Sequence, residues 1–473
     1  MYNFLTPFMN LGHVLRTHPS DAVRHQAPGE GATSSVLPGG HQLVFVRDVA
    51  TTQALAKDPA LDRGPGVNLL RSVFGANTLF LMPHGRVHER RTGELNRLLD
   101  KGHVQALTTR IAARAHHTVD ALRAQVMRAP DTPVDMQALI LSYLFDVGAL
   151  ALTGVEVDLA SEVPVFRRGV DALHRETTSM IKTALAAQAP ATAPYMARQA
   201  RQAAVEFQEA GRRMLVAGAQ RRDLEDTPVL RTLKRHRIDP ARVDDSTPLP
   251  AEAKNEAAMN LAASLFTTGN LIERTFDHFQ QRPEALRDLR ARLREDFPHG
   301  VTDLTELRNC ASLRQLLPIV LEQSPVGIVS RDVLSATAFT DVDGSRRQLR
   351  PGDAVVFDIE GMQARQHAGV DRALADEGQP TLSLLDQGND DQVQTFFYGR
   401  NRCPGRFLAV ADSALILIEL LASFDAQWVD RDRPLERGIV NRLGGRPLAR
   451  LTPVSPPVTP PLSPPAAGEV SPA

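Results

Sequence analysis

The chain has 473 residues, enough to bury a large core; at about 150 residues per domain it divides into roughly three domains unless one larger fold takes it all. Its 54 Lys and Arg balance 55 Asp and Glu for a net charge of −1, with no basic tail or aromatic-basic ribbon, which argues against nucleic acid as a partner and favours a small molecule or another protein. Two cysteines, Cys310 and Cys403, exclude a disulfide framework and a CxxC metal site and fit a reducing compartment.

Residues 1–15 are mildly apolar but broken by Asn3, Pro7, Asn10 and His13. They are too short and too polar to span a bilayer, and no small-residue cleavage site follows. The expectation is a cytoplasmic protein without a membrane anchor, with residues 1–40 as an N-terminal extension. A β-branched and apolar run, Gln42–Val46, leaves the Pro38-Gly39-Gly40 turn as a strand, and a brief helix covers Val49–Lys57. After a loop at Asp62-Arg63-Gly64-Pro65-Gly66, Leu79-Phe80-Leu81-Met82 leads into Pro83-His84-Gly85-Arg86-Val87-His88-Glu89-Arg90-Arg91. By itself this is a basic surface cluster opening a helix.

Helical patterns dominate residues 95–154, with Ile140, Leu144, Val147 and Ala151 on one stripe. Residues 162–222 hold two further helices joined by a small-residue connector at 187–194. Residues 224–250 are polar and Pro-punctuated and read as a surface excursion. From 253 to 281, Leu261, Leu265, Ile272, Phe276 and Phe279 keep helical spacing, while Ala262, Ala263 and Ser264 present small side chains. Ala263 and Thr267 share a face of this helix. A Thr in such a helix can also simply bond its own backbone.

Cys310 stands at the start of an apolar pattern and reads as packing. Arg331 ends the apolar run Pro325-Val326-Gly327-Ile328-Val329-Ser330; a charge there needs a partner, and a carboxylate matches the guanidinium fork. Residues 337–339, the Asp343-Gly344 turn, then Pro351-Gly352-Asp353 before 354–357 read as successive strands and turns. Next comes Phe396-Phe397-Tyr398-Gly399-Arg400-Asn401-Arg402-Cys403-Pro404-Gly405-Arg406. Phe407, Val410, Ala414, Leu417 and Leu421 follow at alternating steps of three and four, a helix pattern.

Cys403 therefore sits just ahead of a helix N-terminus, where unpaired N–H groups and the macrodipole favour an anionic sulfur. Glycines around it permit a tight turn and close approach to a flat cofactor. A small buried hydrophobe is the other reading of such a cysteine. Trp428, Gly438, Ile439 and Val440 fall in the last strands, and residues 453–473 form a Pro-rich, disordered tail.

The stretch around Cys403 resembles the haem-binding loop of the cytochrome P450 family, Phe-x-x-Gly-x-x-x-Cys-x-Gly, matched by Phe396, Gly399, Cys403 and Gly405. Phe397 stands where the family usually has Gly, and Asn401 where it has Arg or His. Other stations follow in family order: Gly85 and His88 (with Thr92 where an Arg is usual), Ala263 and Thr267 (with Phe266 in place of the preceding acid), Pro325 to Arg331, and Pro351-Gly352-Asp353. The Glu-x-x-Arg pair falls on Pro318 and Leu321, and the Asn-Arg-Asp-Pro signal is reduced to Ala364-Arg365-Gln366-His367. Losing both members of a buried ion pair is compatible with a stable fold, whereas losing one is costly.

The resemblance spans residues 41–452 and implies a mainly α fold with a small β-sheet, a single domain enclosing haem, of the soluble bacterial type. It implies haem b with Cys403 as the axial iron ligand and Thr267 as the catalytic residue positioning water and protons. His88, Ala263, Arg331, Phe396, Gly399, Arg402 and Gly405 would contact the cofactor, with Arg400 as an alternative to Arg402 at a propionate. The two helices of residues 162–222 would be a lid over the substrate pocket. The implied activity is monooxygenation of a small lipophilic substrate, with electrons from a ferredoxin or flavodoxin steered by Arg90, Arg91, Arg400, Arg402 and Arg406. Phe266 and the lost Glu-x-x-Arg pair leave two alternatives: a haem-thiolate peroxygenase, isomerase or dehydratase, and a non-catalytic haem-binding protein. Neither a P-loop, a zincin motif nor a nucleophile elbow occurs.

Overall fold

A computed structural model of the chain describes residues 31–36, 40–64, 67–177, 186, 189–221, 226–297, 316, 328–362, 396–399, 402–430, 433–436, 442–445 and 447–454. The first half is built from helices whose ends are written locally. β1 (Thr33–Val36) pairs antiparallel with β2 (Gln42–Val46). Asp48 then caps α1 (Val49–Lys57), accepting from the Thr51 N–H at 2.7 Å. β3 (Leu61–Asp62), α2 (Asn68–Phe74) and α3 (Arg86–Leu98) follow. Asp100 caps α4 (Lys101–Arg128) in the same way. β4 (Val134–Asp135) runs into α5 (Met136–Thr153), which Asp135 caps and Gly154, in the left-handed region, ends.

α6 (Val163–Thr177), α7 (Ala193–Met196) and α8 (Arg198–Gln220) come next, then α9 (Pro228–Arg235), α10 (Ala251–Gln280) and α11 (Pro283–Asp296). The C-terminal part holds β5 (Ile328–Val333), β6 (Thr337–Thr340), β7 (Arg346–Leu349), β8 (Ala354–Asp358), α12 (Arg406–Ser423), β9 (Phe424–Trp428), β10 (Leu435–Glu436), β11 (Arg442–Leu443) and β12 (Leu448–Pro453).

The fold is mainly helical with a small open sheet. The largest sheet has five strands in the order β1-β2-β8-β5-β3. Only β2 and β8 run parallel within it, Leu43 opposite Ala354, because more than 300 residues separate them and leave room for the helical body as a crossover. A second sheet, β4-β12-β9, and two hairpins, β6-β7 and β10-β11, complete the strands described.

The main core gathers around α5, α10 and α12. The stripe Ile140, Leu144, Val147 and Ala151 is buried, but so are Leu141, Tyr143 and Phe145 on the other faces of α5. Such a helix is enclosed on all sides. It is also the helix, among the described residues, long and apolar enough to cross a membrane, and 72% of it is buried inside the protein, so tertiary packing accounts for its apolarity. α8 crosses α10 very closely: a Cβ on Gly211 would meet the Lys254 carbonyl oxygen at 2.0 Å, so only glycine allows this contact.

The stretch expected as a surface excursion differs. Residues 228–235 form α9, and Val229, Leu230 and Leu233 join the core. Thr227 caps it and Pro228 opens it, so the Pro and polar residues that suggested a loop are a helix start. Pro318, Leu321, Cys310, residues 364–367, Arg400, Asn401, residues 437–441 and the tail from 455 lie outside the described residues.

Candidate functional site

α10 is about 45 Å long at 1.5 Å per residue, and its middle carries the small side chains read from the sequence. Ala262, Ala263 and Thr267 line a cavity of about 450 Å³, together with apolar side chains from α2, α6 and α8. Thr267 donates its hydroxyl to the Ala263 carbonyl oxygen at 2.9 Å, which leaves the hydroxyl oxygen's lone pairs open to the cavity. Phe266, the neighbour in place of an acid, also lines it. Cys403, Arg331 and Arg63 line the same cavity.

The turn ahead of α12 presents the sulfur. The Cys403 N–H donates to the Phe396 carbonyl at 2.8 Å and the Arg402 N–H to that of Gly399 at 3.2 Å. Gly399 has φ +57°, and Phe397, at the family's usual glycine position, has φ +57° as well. The loop thus keeps a left-handed residue there although the side chain carries a Cβ, at a cost of roughly 1–2 kcal/mol. Burial of the Phe397 ring against Phe357, with the Arg331 guanidinium 5.4 Å from its centroid, offsets that strain. Phe396 packs on Val410 beside Cys403. A Cβ on Gly405 would lie 4.0 Å from the Cys403 sulfur, an ordinary van der Waals contact, so the sulfur by itself does not require glycine there.

Desolvation raises the Cys403 thiol pKa, and the Gly405 N–H and the nearby Arg406 only partly counter it. The helix terminus favours the anion, the direction expected from position, but desolvation is the larger effect. Burial outweighs the fraction of a kcal/mol that a helix end supplies, and a bound cation is what would ionise this sulfur.

Arg331, on β5, is 8% exposed and ends in an apolar setting. Its Nη1 donates to the Ser330 carbonyl at 2.6 Å, while its Nε is buried without a partner. Desolvation and the charge of Arg63 lower its pKa to about 9. Arg63, also 8% exposed, is lowered to about 10, mainly by burial. Sequence reasoning missed Arg63. The pairing of Asp62 with Asp332 across β3 and β5 sets Arg63 near Arg331, and nothing local to the Arg63-Gly64-Pro65-Gly66 turn signals that register.

His88 stands behind Arg63 rather than on the cavity wall. The Arg63 Nη1 donates to His88 Nε2 at 3.0 Å, since arginine can only donate. His88 then carries its proton on Nδ1, 3.3 Å from His84 Nδ1, and His84 Nε2 faces Asp62 Oδ1 at 3.6 Å. Desolvation, then the Arg63 charge, depress the His88 pKa to about 4, so the imidazole is neutral and orients Arg63. Arg91, expected on a basic outer face, is instead 6% exposed and paired with Glu256 of α10 at 3.0 Å. Arg402 is half-buried and Arg90 exposed. Among the described residues no cluster of three or more His, Cys, Asp and Glu could hold a metal ion.

No protein-family model matches the chain, and no curated protein sequence matches it. Its backbone is similar to solved structures, among them the crystal structure of a cytochrome P450 (CYP102L1), with a TM-score of 0.68 at 16% identity, covering 94% of this chain and 96% of that one. The backbone therefore has the cytochrome P450 fold, mainly helical with a small open sheet.

Proposed function

We propose that the protein binds haem b through the Cys403 sulfur and acts as a monooxygenase on a small lipophilic molecule. The observation that carries this reading is the convergence of one sulfur and two buried guanidinium groups on a single apolar cavity. The residues present fit the cofactor. An Nε buried without a partner on Arg331, whose pKa burial and the Arg63 charge both lower, and a second buried guanidinium at Arg63 call for an anion beside Cys403, and the haem propionates supply carboxylates of that kind. When bound, a haem thiolate supplies dioxygen chemistry in which electron donation from sulfur promotes O–O cleavage.

The chain's own residues then have separate tasks. Arg331 and Arg63 hold carboxylates, and neutral His88 fixes the direction of Arg63. Phe396 shields the sulfur. Ala263 keeps the wall of α10 low above the site, and the Thr267 hydroxyl holds a water at the cavity edge. Arg90, Arg402 and Arg406 form the basic face proposed for an acidic ferredoxin or flavodoxin, without Arg91. The aromatic and aliphatic walls exclude water and select an apolar substrate.

The test is a reduced, carbon-monoxide-treated absorption spectrum of the wild type beside Cys403→Ala. A thiolate-type Soret band only in the wild type supports the assignment; equal spectra reject it. One observation favours a second reading: Phe266 cannot relay a proton, so a haem-thiolate peroxygenase, isomerase or dehydratase, which omits dioxygen protonation, fits that position better. Turnover driven by peroxide without an electron donor selects it, and strict dependence on a nicotinamide-linked redox pair selects the monooxygenase.

A further inference from the structure

Behind the apolar cavity lies a second, much smaller one of about 20 Å³, room for about one water molecule. Unlike the larger one, it carries several polar side chains among its apolar ones. Gln137 of α5, Arg167 and Asp171 of α6, and Asn270 and Glu273 of α10 contribute to its walls. The two cavities share three lining residues, Phe166, Val170 and Phe266. Phe166 is fixed by edge-to-face contact with Phe145 at 5.8 Å and by Phe207 at 5.3 Å. Phe266 is only half-buried.

Asn270 stands one turn beyond Phe266 on the same face of α10. Its amide nitrogen donates to the Phe266 carbonyl at 2.7 Å. The residue is 7% exposed, and its Oδ1 is buried without a hydrogen-bond partner. Glu273, a further turn on, is already committed to an ion pair with Arg433. The small cavity therefore offers an acceptor with no protein donor among the described residues, directly behind an aromatic ring.

We propose that Phe266 is a specificity-determining partition: it ends the apolar cavity, seals it from the polar pocket at Asn270, and thereby selects ligands with an apolar terminus of limited length. This rests on the reading of the large cavity as a lipophile site and states which part of the ligand it discriminates. A ligand too long for the cavity meets the ring. A terminal hydroxyl placed against the ring loses water and gains no partner, while the acceptor that would suit it stays hidden.

The test is calorimetric titration of the protein as purified, with a graded series of phenylalkanes and their ω-hydroxyl counterparts. The wild type is expected to bind phenylalkanes up to a length limit and each ω-hydroxyl compound about tenfold more weakly. Phe266→Ala is expected to move the limit to longer chains and to abolish the hydroxyl penalty. Phe266→Ala with Asn270→Leu is expected to keep the longer limit and restore the penalty. Should the alanine variant not fold, Phe266→Leu carries the same comparison with a smaller shift. An unchanged limit and penalty in the folded Phe266 variant overturns the partition alone. A wild type that binds no member of either series overturns the lipophile-site reading and the partition with it.

Discussion

Two pairs of arginines, all buried but the half-buried Arg235, sit on different parts of this molecule and have different company. Arg91 and Arg235 share Glu256, which bonds Arg91 Nη2 at 3.0 Å and Arg235 Nη1, while Glu94 takes the other arm of Arg235 at 2.6 Å and His236 approaches Glu256 at 3.3 Å. That cluster ties α3 and α9 to α10 and closes on itself. Arg63 and Arg331 line the cavity and, among the described residues, have no carboxylate within ion-pair distance, only carbonyls, an imidazole and an aromatic face. The difference teaches that burial of a cation does not mark a site. A cation that the fold leaves short of an anion does.

The sharpest way to break this comparison is to remove the anion from the closed cluster. Glu256→Gln should leave the buried Arg91 guanidinium without its carboxylate and the half-buried Arg235 with Glu94 alone, and cost about 3–5 kcal/mol in denaturant unfolding, whatever the state of the cavity. A loss under about 1 kcal/mol would mean that the cluster is not the closed structure inferred.

Acid should expose the chemistry of the open pair next. His88 has a folded pKa of about 4, below the unfolded value of 6.5. The unfolded chain therefore binds more protons between these values, and stability falls as pH drops from 6.5 toward 4. The His88 contribution to that loss is about 2–3 kcal/mol by pH 4. Denaturant titrations at stepped pH should show a shallower slope for His88→Gln than for the wild type. An identical slope would remove His88 from the account.

Arg331→Leu should separate the two roles from the other side. Because Asp62 and Asp332 act on Arg331 only from beyond ion-pair distance and its burial is costly, the unloaded variant should unfold at the same denaturant concentration as the wild type or higher. Its affinity for added haem, read from Soret titration of the unloaded protein, should fall about tenfold or more. The opposite result, lower stability and unchanged haem binding, would place Arg331 with the structural arginines.

The smallest effect concerns the loop below it. At ordinary backbone angles Gly is less stable than Ala by roughly 0.5–1 kcal/mol. At Phe397, with φ +57°, the order should invert, Phe397→Gly being about 1 kcal/mol more stable than Phe397→Ala. Both should be less stable than the wild type because each deletes a buried ring. Thermal unfolding of the two variants decides this.

Much of the fold was legible locally. β2, α1 and α10 fall within a residue or two of their expected bounds, since capping residues, turns and helical spacing act over a few positions. The sulfur loop was readable for the same reason, its Phe396, Gly399, Cys403 and Gly405 being contiguous. α9 was misread because its Pro and Thr open a helix whose apolar face is buried only by elements distant in sequence, α5, α8 and α10 among them. Arg91 and His88 were assigned by spacing, but spacing does not say that Glu256 takes one and Arg63 the other.

By itself the sequence determined where helices start, which stretch presents a sulfur, and that Thr267 and Ala263 share a face, because each depends on residues within about two turns. Only the tertiary structure decided which charges are satisfied. Arg63 meets Arg331 through a strand register linking positions 62 and 332, and Asn270 is left without a donor by helices more than a hundred residues apart. Long-range partners fix the electrostatic environment, and that environment distinguishes a group that holds the fold from one that awaits a ligand.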